Sequence, residues 1–371
     1  MTGEERRTVI GLWSVAGVGA QSIAAIRAVY PGLEGLAAEH PRRWVSSVLV
    51  PAIARDALLE LPTALGAHAD QVLEAAARAG MSIAFPDDSA YPRGLGELHN
   101  APAVLFYQGR GDRPNARRRL AVVGSRSFEP NFVPAAMAMA RELGTRVIVV
   151  SGGARGIDQL FHNGAIEAGG ETWAFMGAGL DQLDPSQAAL APRIVGSGGT
   201  VFSELPPGVR ADKQTFPRRN RLISGSADAV LLARATSKSG ALITIRYARE
   251  QGKLVLAVPG QIDHDTAYAC NQLIRGGVAR LVTGAAEIFA DMGLDDTRTP
   301  EVEVAAAPVD LGQLSANARV ALDLLARSPA DFESLLERAG PLDSGRLSSA
   351  LVELELAGLL VQRPGRRYER R

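Results

Sequence analysis

The sequence predicts an α/β protein built on a doubly wound, mainly parallel sheet, with a helical segment before it and a winged helix after it. Three observations predict this. From about residue 85 to 290, short β-branched runs alternate with Ala-rich amphipathic segments, the pattern of strands joined by crossover helices. The runs are almost continuously apolar, as strands covered on both faces must be. The polar, glycine-rich segments all fall just past the carboxyl ends of those runs, on the rim where open α/β sheets bind ligands.

Taken in order, residues 1 to about 80 are Ala- and Leu-rich, with breaks at Pro31-Gly32 and Pro41, and read as helices. Within them LWSVAGVGAQSIAAI (12–26) reads as helix, Gly-Val-Gly hairpin, helix. Such a hairpin either presents its amides to a phosphate backbone or is a plain turn, and no Lys or Arg directly follows Gly19. The expected strands are RLAVVG (119–124), RVIVVSG (146–152), ETWAFMG (171–177), GTVFSE (199–204), DAVLLA (228–233) and KLVLAVPG (253–260). Helices such as NFVPAAMAMARELG and IDQLFHNGAIEAGG lie between them. Residues 291–312 are acidic, Ala/Pro-bearing and aperiodic, and read as a linker. Three short helices follow, then LLVQRPGRRYERR, an apolar strand, a Pro-Gly turn and a basic strand, which together predict a winged helix. The expected domains are 1–82, 83–290 and 313–371, with the linker between the last two.

The chain carries 40 basic and 40 acidic residues, so its charge does not predict a global nucleic-acid coat. The basic residues are nevertheless clustered. Arg110, Arg113, Arg117, Arg118, Arg119 and Arg126 form one group, and Arg210, Lys213, Arg218, Arg219 and Arg221 another; the aspartates among them are Asp112 and Asp212. Solvated loops are the ordinary reading of either group alone. A lone cysteine, Cys270, excludes an internal disulfide and a cysteine-cluster metal site, and reads as a packing thiol. No apolar run is long enough for membrane insertion, and MTGEERRTVI lacks a signal-peptide core. A cytoplasmic setting is expected.

The rim segments carry the chemistry. In SGGARGID (151–158), Ser151, Gly152, Gly153 and Arg155 precede a helix starting at about Ile157, so its free amides and dipole predict an anion site. The same logic applies to Lys238, Ser239 and Gly240 in SKSGALIT. Neither segment is a P-loop, and GAGLDQ fails the G-x-G-x-x-G pattern at its sixth position. Asp158 and His162 share a helical face at i, i+4, and are expected to be structural rather than metal-binding. His264, between two aspartates, is expected in a polar loop. No residues form a nucleophile–base–orienter set, so neither catalysis nor a metal nor a cofactor is expected. FPRRNRLISG (216–225) sets three arginines and Asn220 between a Phe-Pro pair and a Ser-Gly turn, a loop suited to an anion.

YPRGLGELHNAPAVLFYQG (91–109), AVVGSR, SGGARGID, GAGLD, SELPPG, FPRRNRLISG, SKSGALIT, AVPG and CNQLIRGGV occur in this order. Together they resemble the DNA-processing protein A (DprA/Smf) family over residues 85 to 285. The resemblance implies a Rossmann-like domain that binds single-stranded DNA, forms homodimers and loads RecA recombinase onto incoming DNA during natural transformation, without enzymatic turnover. It implies a pocket using Gly124 and Arg126 of the G-x-R motif, then Lys213 and Phe216, then Arg219, Asn220 and Arg221 with neighbouring Arg218. One of the last two arginines either grips DNA or turns inward to brace the loop. Two features depart from the family pattern: the aromatic after GLD is absent in DQLDPSQ, and the segment after RNR reads SGSADAV. The alternatives are an N-glycosidic hydrolase, whose P-G-G-x-G-T-x-x-E signature is missing from AVPGQIDHD, and a small-nucleotide sensor. In the winged helix, Glu353 and Glu355 make SGRLSSALVELELAG a poor groove reader, leaving protein contact or weak duplex contact as open as sequence-specific binding.

Overall fold

The computed structural model describes residues 1–33, 35–112, 117–213, 215–294, 314–325, 330–340, 342–357, 359–363 and 367–370. The chain forms two compact units, Met1–Leu294 and Asp295–Arg371.

The first unit opens with helices α1 (Gly3–Trp13), α2 (Ala20–Val29), α3 (Ala52–Leu59) and α4 (Leu65–Arg78). Thr2 caps α1 by accepting the Glu5 amide, and Glu4 and Glu5 oppose the positive end of its dipole. The α1–α2 link turns at Gly17, whose φ of 78° suits glycine. Two strands then lead into the sheet, β1 (Ser82–Ala84) and β2 (Leu105–Gly109). The alternation follows: β3 (Arg119–Val123), α5 (Val133–Arg146), β4 (Ile148–Ser151), α6 (Ile157–Glu167), β5 (Thr172–Met176), α7 (Pro185–Gly196) and β6 (Thr200–Ser203). It continues through α8 (Thr215–Gly225), β7 (Ala229–Leu232), α9 (Ala241–Glu250), β8 (Leu254–Ala257), α10 (Tyr268–Arg275), β9 (Arg280–Leu281) and α11 (Ala285–Asp291). All six expected strands are present.

The sheet order is β1-β2-β6-β5-β4-β3-β7-β8-β9. The pairs β1–β2 and β2–β6 are antiparallel and the rest parallel. The chain walks outward from β3 through β4, β5 and β6, then returns to the other side of β3 with β7. That reversal opens a crevice between the β3 and β7 carboxyl ends. Successive residues face opposite layers. Leu120 and Val122 pack with Leu143, Phe161 and Ile288, while Ala121 and Val123 pack with Leu222, Ile223 and Ile245. Both layers are buried, which is why the strands read as unbroken apolar runs. The N-terminal helices share a core with Phe106, Met176, Leu190 and Val201, and the Trp13 indole N–H donates to the Glu204 carbonyl at 2.7 Å.

The second unit contains α12 (Ala316–Leu325), β10 (Ala330–Asp331), α13 (Phe332–Arg338), α14 (Ser344–Leu356), β11 (Leu360–Arg363) and β12 (Arg367–Arg370). Its antiparallel sheet runs β10-β12-β11, and Leu322, Leu335, Leu347 and Leu354 form its core. This is the three-helix and wing arrangement expected, with β10 added. Glu353 accepts the Ser315 amide at 2.8 Å and hydroxyl at 2.7 Å, so one of the two acids on α14 is spent on the start of α12. The Pro364-Gly365 turn and linker residues 295–312 lie outside the described residues. No described helix is long and apolar enough to cross a membrane.

Candidate functional site

A cleft of about 360 Å³ lies at the reversal point. Its walls are Gly124, Ser125 and Arg126 after β3, Ala154 and Asp158 after β4, Phe216, Arg219, Asn220 and Ile223 on α8, and Ser239, Gly240 and Thr244 around the start of α9. The turn carrying Arg126 is fixed by two backbone bonds: Ser125 donates to Arg234 O at 2.7 Å, and Ile157 donates to Ser125 O at 3.2 Å. Gly156, at φ 95°, allows the close approach, since a Cβ there would lie 2.6 Å from the Arg126 Cα. Arg126 is exposed, and it makes no ion pair among the described residues.

FPRRNRLISG is not a loop. It forms most of α8, which changes the role of each arginine. Arg219 is 4% exposed and Arg221 2%. One Arg219 Nη donates to Gly152 O at 2.7 Å and to Phe175 O. The guanidinium also lies 5.9 Å from the centroid of the Phe216 ring. Burial pulls its pKa down to about 10, against the pull of Asp158, so it stays charged at neutral pH. Arg221 pairs with both Glu204 oxygens at 3.1 and 2.7 Å and donates to Asn100 O at 3.1 Å. Arg219 and Arg221, for which gripping DNA and bracing inward were both open, are both internal braces: two positions apart they face different sides of α8, and buried acceptors meet each of them there. Arg218 instead keeps a half-exposed side chain, with Nε 3.7 Å from Glu204. Phe216 and Asn220 are half-buried on the cleft side, and a Cβ on Gly177 would lie 3.2 Å from the Phe216 ring. Lys213 is exposed just before α8, in a turn closed by Asp212 and Thr215, whose side chains each accept the other's amide at 2.7 and 3.0 Å. Lys213 stands outside the cleft wall.

SGGARGID also departs from expectation. The amides of Gly152 and Ala154 both donate to Asp158 Oδ2 at 3.2 Å, so the loop's own carboxylate occupies the place expected for an external anion. Burial pushes the Asp158 pKa up, opposed by Arg219 and these amides. The Ser151 hydroxyl is buried and donates to Val122 O at 2.6 Å. Gly152 and Gly153 are buried as well, and Arg155 is exposed but off the cleft wall. Ser151, Gly152 and Gly153 thus shape the site from beneath. His162, fully buried, lies 2.7 Å from the Thr172 hydroxyl through Nδ1. That hydroxyl spends its proton on Val149 O at 2.6 Å, so Nδ1 carries the hydrogen and the ring is neutral. Burial lowers its pKa to about 3. Asp158 and His162 are both structural, each with its own partners. Cys270 is buried, and burial pushes its thiol up to about 11. His264 lies in a loop between exposed Asp263 and Asp265, with Nδ1 2.9 Å from Glu129.

Of the SKSG residues, Ser239 and Gly240 line the cleft and Lys238 is exposed beside it. Ser125, Ile223 and Thr244 were missed from sequence; Thr244 falls one helical turn after Gly240, so the 3.6 period marks it. The first arginine cluster disperses. Arg119 pairs with Asp112 at 3.2 Å and Arg118 with Asp228 at 3.2 Å, near the amino end of β3, while Arg126 sits past its carboxyl end. Arg113 lies outside the described residues.

Residues 82–293 match the family described as DNA recombination-mediator protein A, and residues 305–366 match the DprA winged helix domain. The chain is 32% identical to Protein Smf of Synechocystis sp. over 331 residues, 81% of this chain and 83% of the relative. It resembles the X-ray structure of DNA processing protein A from Streptococcus pneumoniae with a TM-score of 0.63 and 28% identity, covering 78% of this chain and 98% of that one. A structure of DNA processing protein A from Helicobacter pylori, described for its single-stranded DNA binding mode, shares the fold at a TM-score of 0.51 and 23% identity, covering 58% and 96%. The chain belongs to the DNA recombination-mediator protein A family, the DprA/Smf proteins.

Proposed function

We propose that the cleft binds single-stranded DNA and that the protein, a cytoplasmic homodimer, protects incoming strands and loads RecA recombinase onto them during natural transformation. The observation that carries the binding step is the meeting of an exposed Arg126 with half-buried Phe216 and Asn220 in one crevice. A single strand needs a cation for its backbone and a π-face for its bases. Arg126, Lys213 and Arg218 supply the first and Phe216 the second. The platform is recessed, so a base must leave its stack to reach it, which favours a single strand over a duplex. Homodimerisation, RecA loading and the role in transformation rest on family membership.

Binding without turnover is also the better reading of the titratable groups. The Asp158 carboxylate is held by two amides, His162 is sealed in the core, and Cys270 is buried with a raised pKa. None is poised as an acid, base or nucleophile at the cleft. Fluorescence anisotropy with labelled oligo-dT, against the matching duplex across a salt series, tests the reading. Tight, salt-sensitive binding of the single strand with weaker duplex binding is expected. Equal affinity for both would sink it, and displacement of oligo-dT by a mononucleotide at low micromolar concentration would favour a nucleotide sensor instead.

A further inference from the structure

We propose that the single-strand path continues beyond the cleft across the N-terminal helices, where Leu49 and Ile53, at the start of α3, receive bases of the strand that crosses Arg218. This rests on the cleft being a single-strand site. The cleft is small, so a longer strand must leave it across neighbouring surface. Arg218 marks one exit: it shares α8 with Phe216 and Asn220, yet it lies outside the cleft lining, with a side chain 51% exposed.

The next surface beyond Arg218 is the α1–α2 hairpin. A Cβ on Gly19 would lie 3.9 Å from an Arg218 Nη atom. The hairpin is anchored to the same bracing group as α8. Trp13, at the end of α1, donates to the Glu204 carbonyl, while the Glu204 carboxylate holds Arg221 and faces Arg218. Its position relative to Arg218 is therefore fixed by a buried hydrogen bond rather than left to a mobile loop.

On the hairpin, Gly17 packs against Ile53, whose Cγ2 would lie 2.8 Å from a Cβ at that glycine. Ile53 is 67% exposed and Leu49 94%, and Pro51 and Ala52 between them are exposed too. Scattered exposed aliphatics are ordinary. These cluster within five residues, and Ile53 abuts the hairpin that reaches Arg218. An aliphatic surface beside a guanidinium suits an unpaired strand, which offers charged phosphates on one side and the faces of its bases on the other. On α3, the acid following Arg55 is Asp56, and the two lie 3.8 Å apart, so that carboxylate is partly offset.

The test uses the full chain and two oligo-dT lengths, about 8 and about 25 nucleotides, chosen around the roughly 4–16 nucleotide footprint of a single-strand fold. Leu49→Asp and Ile53→Glu change exposed side chains, and unchanged melting will show that the fold survives. Each should weaken the long oligonucleotide roughly fivefold or more, about 1 kcal/mol, and leave the short one unchanged. Loss on neither length, as expected if the patch serves a protein partner, overturns the proposal, and so does equal loss on both. A dye on Ile53→Cys, selective because Cys270 is buried, should respond to the long oligonucleotide and not the short; silence with both also overturns it. If the unaltered protein binds neither length, the reading of the cleft fails first.

Discussion

The division of arginines into phosphate grips and internal braces makes a prediction that affinity alone cannot test. Neutralising a phosphate contact on a single strand reduces the slope of log K against log salt by about 0.7. Over a tenfold rise in salt, one such contact is worth about fivefold in affinity. Arg126, exposed and without an ion pair among the described residues, should count as a contact. Arg219, 4% exposed and bonded to two carbonyls, should not. Arg126→Ala is therefore expected to lower both the affinity and the salt slope, the latter by about 0.7. Arg219→Lys keeps the charge but not the two-carbonyl geometry. It should loosen the seat of Phe216 and weaken binding by up to about 1–3 kcal/mol, the range for one base–aromatic stack, with the slope unchanged. The assay is anisotropy titration of labelled oligo-dT at roughly 50 to 500 mM salt, the range in which counterion release dominates. A slope reduced equally in both variants would refute the brace assignment, because only a group touching phosphate releases counterions.

Other substitutions probe the supports separately. Glu204→Gln should leave Arg221 as a buried, uncompensated charge and cost about 3–5 kcal/mol, a melting shift of roughly 6–20 °C at 2–4 °C per kcal/mol. Adding Arg221→Met should recover part of that loss, and additive losses in calorimetry would contradict the pairing. Because the folded-state pKa of His162 falls to about 3, the unfolded chain binds the extra proton between that value and about 6.5, so stability falls as pH falls through this window. From pH 6.5 to 5 the loss attributable to His162 is about 1.6 kcal/mol. Denaturation of the natural protein and His162→Gln at both pH values measures it, since Asp158, with its opposite shift, is common to both. Gly177→Ala places a Cβ 3.2 Å from the Phe216 ring; it should weaken oligo-dT binding with little change in melting, and unchanged binding would show that Phe216 is not the platform.

The centre of the sheet was legible because its signal is local and strong. Each parallel strand is apolar on both faces, and each is followed by a glycine-rich turn into an Ala-rich helix. The edges were not. β1 and β9 have three and two residues, too short for periodicity to register. β2 is a strand only because β6 and β1 pair with it on either side, which no local pattern encodes. The helix at FPRRNRLISG was hidden by its composition. Three charged residues and a proline resemble a surface loop, although proline within the first turn of a helix costs little.

The site was legible as an inventory and not as a set of roles. Arg218, Arg219 and Arg221 have the same chemistry, and helical phase separates them: each residue advances about 100° around the axis, so adjacent arginines cannot share an environment. Phase alone still does not say which face is buried. That depends on Gly152 O, Phe175 O and Glu204 arriving from other strand ends, 67, 44 and 17 residues away in sequence. The glycine-rich loop carries the complementary lesson. Its free amides made an external anion a sound expectation, but Asp158, in the first turn of α6, reaches back to the Gly152 and Ala154 amides. An acid at that position satisfies the amides from within and opposes a second anion at the same point. If the cleft binds a single strand as proposed, the backbone grip comes from side chains, and Arg126, Lys213 and Arg218 are exposed and available for it.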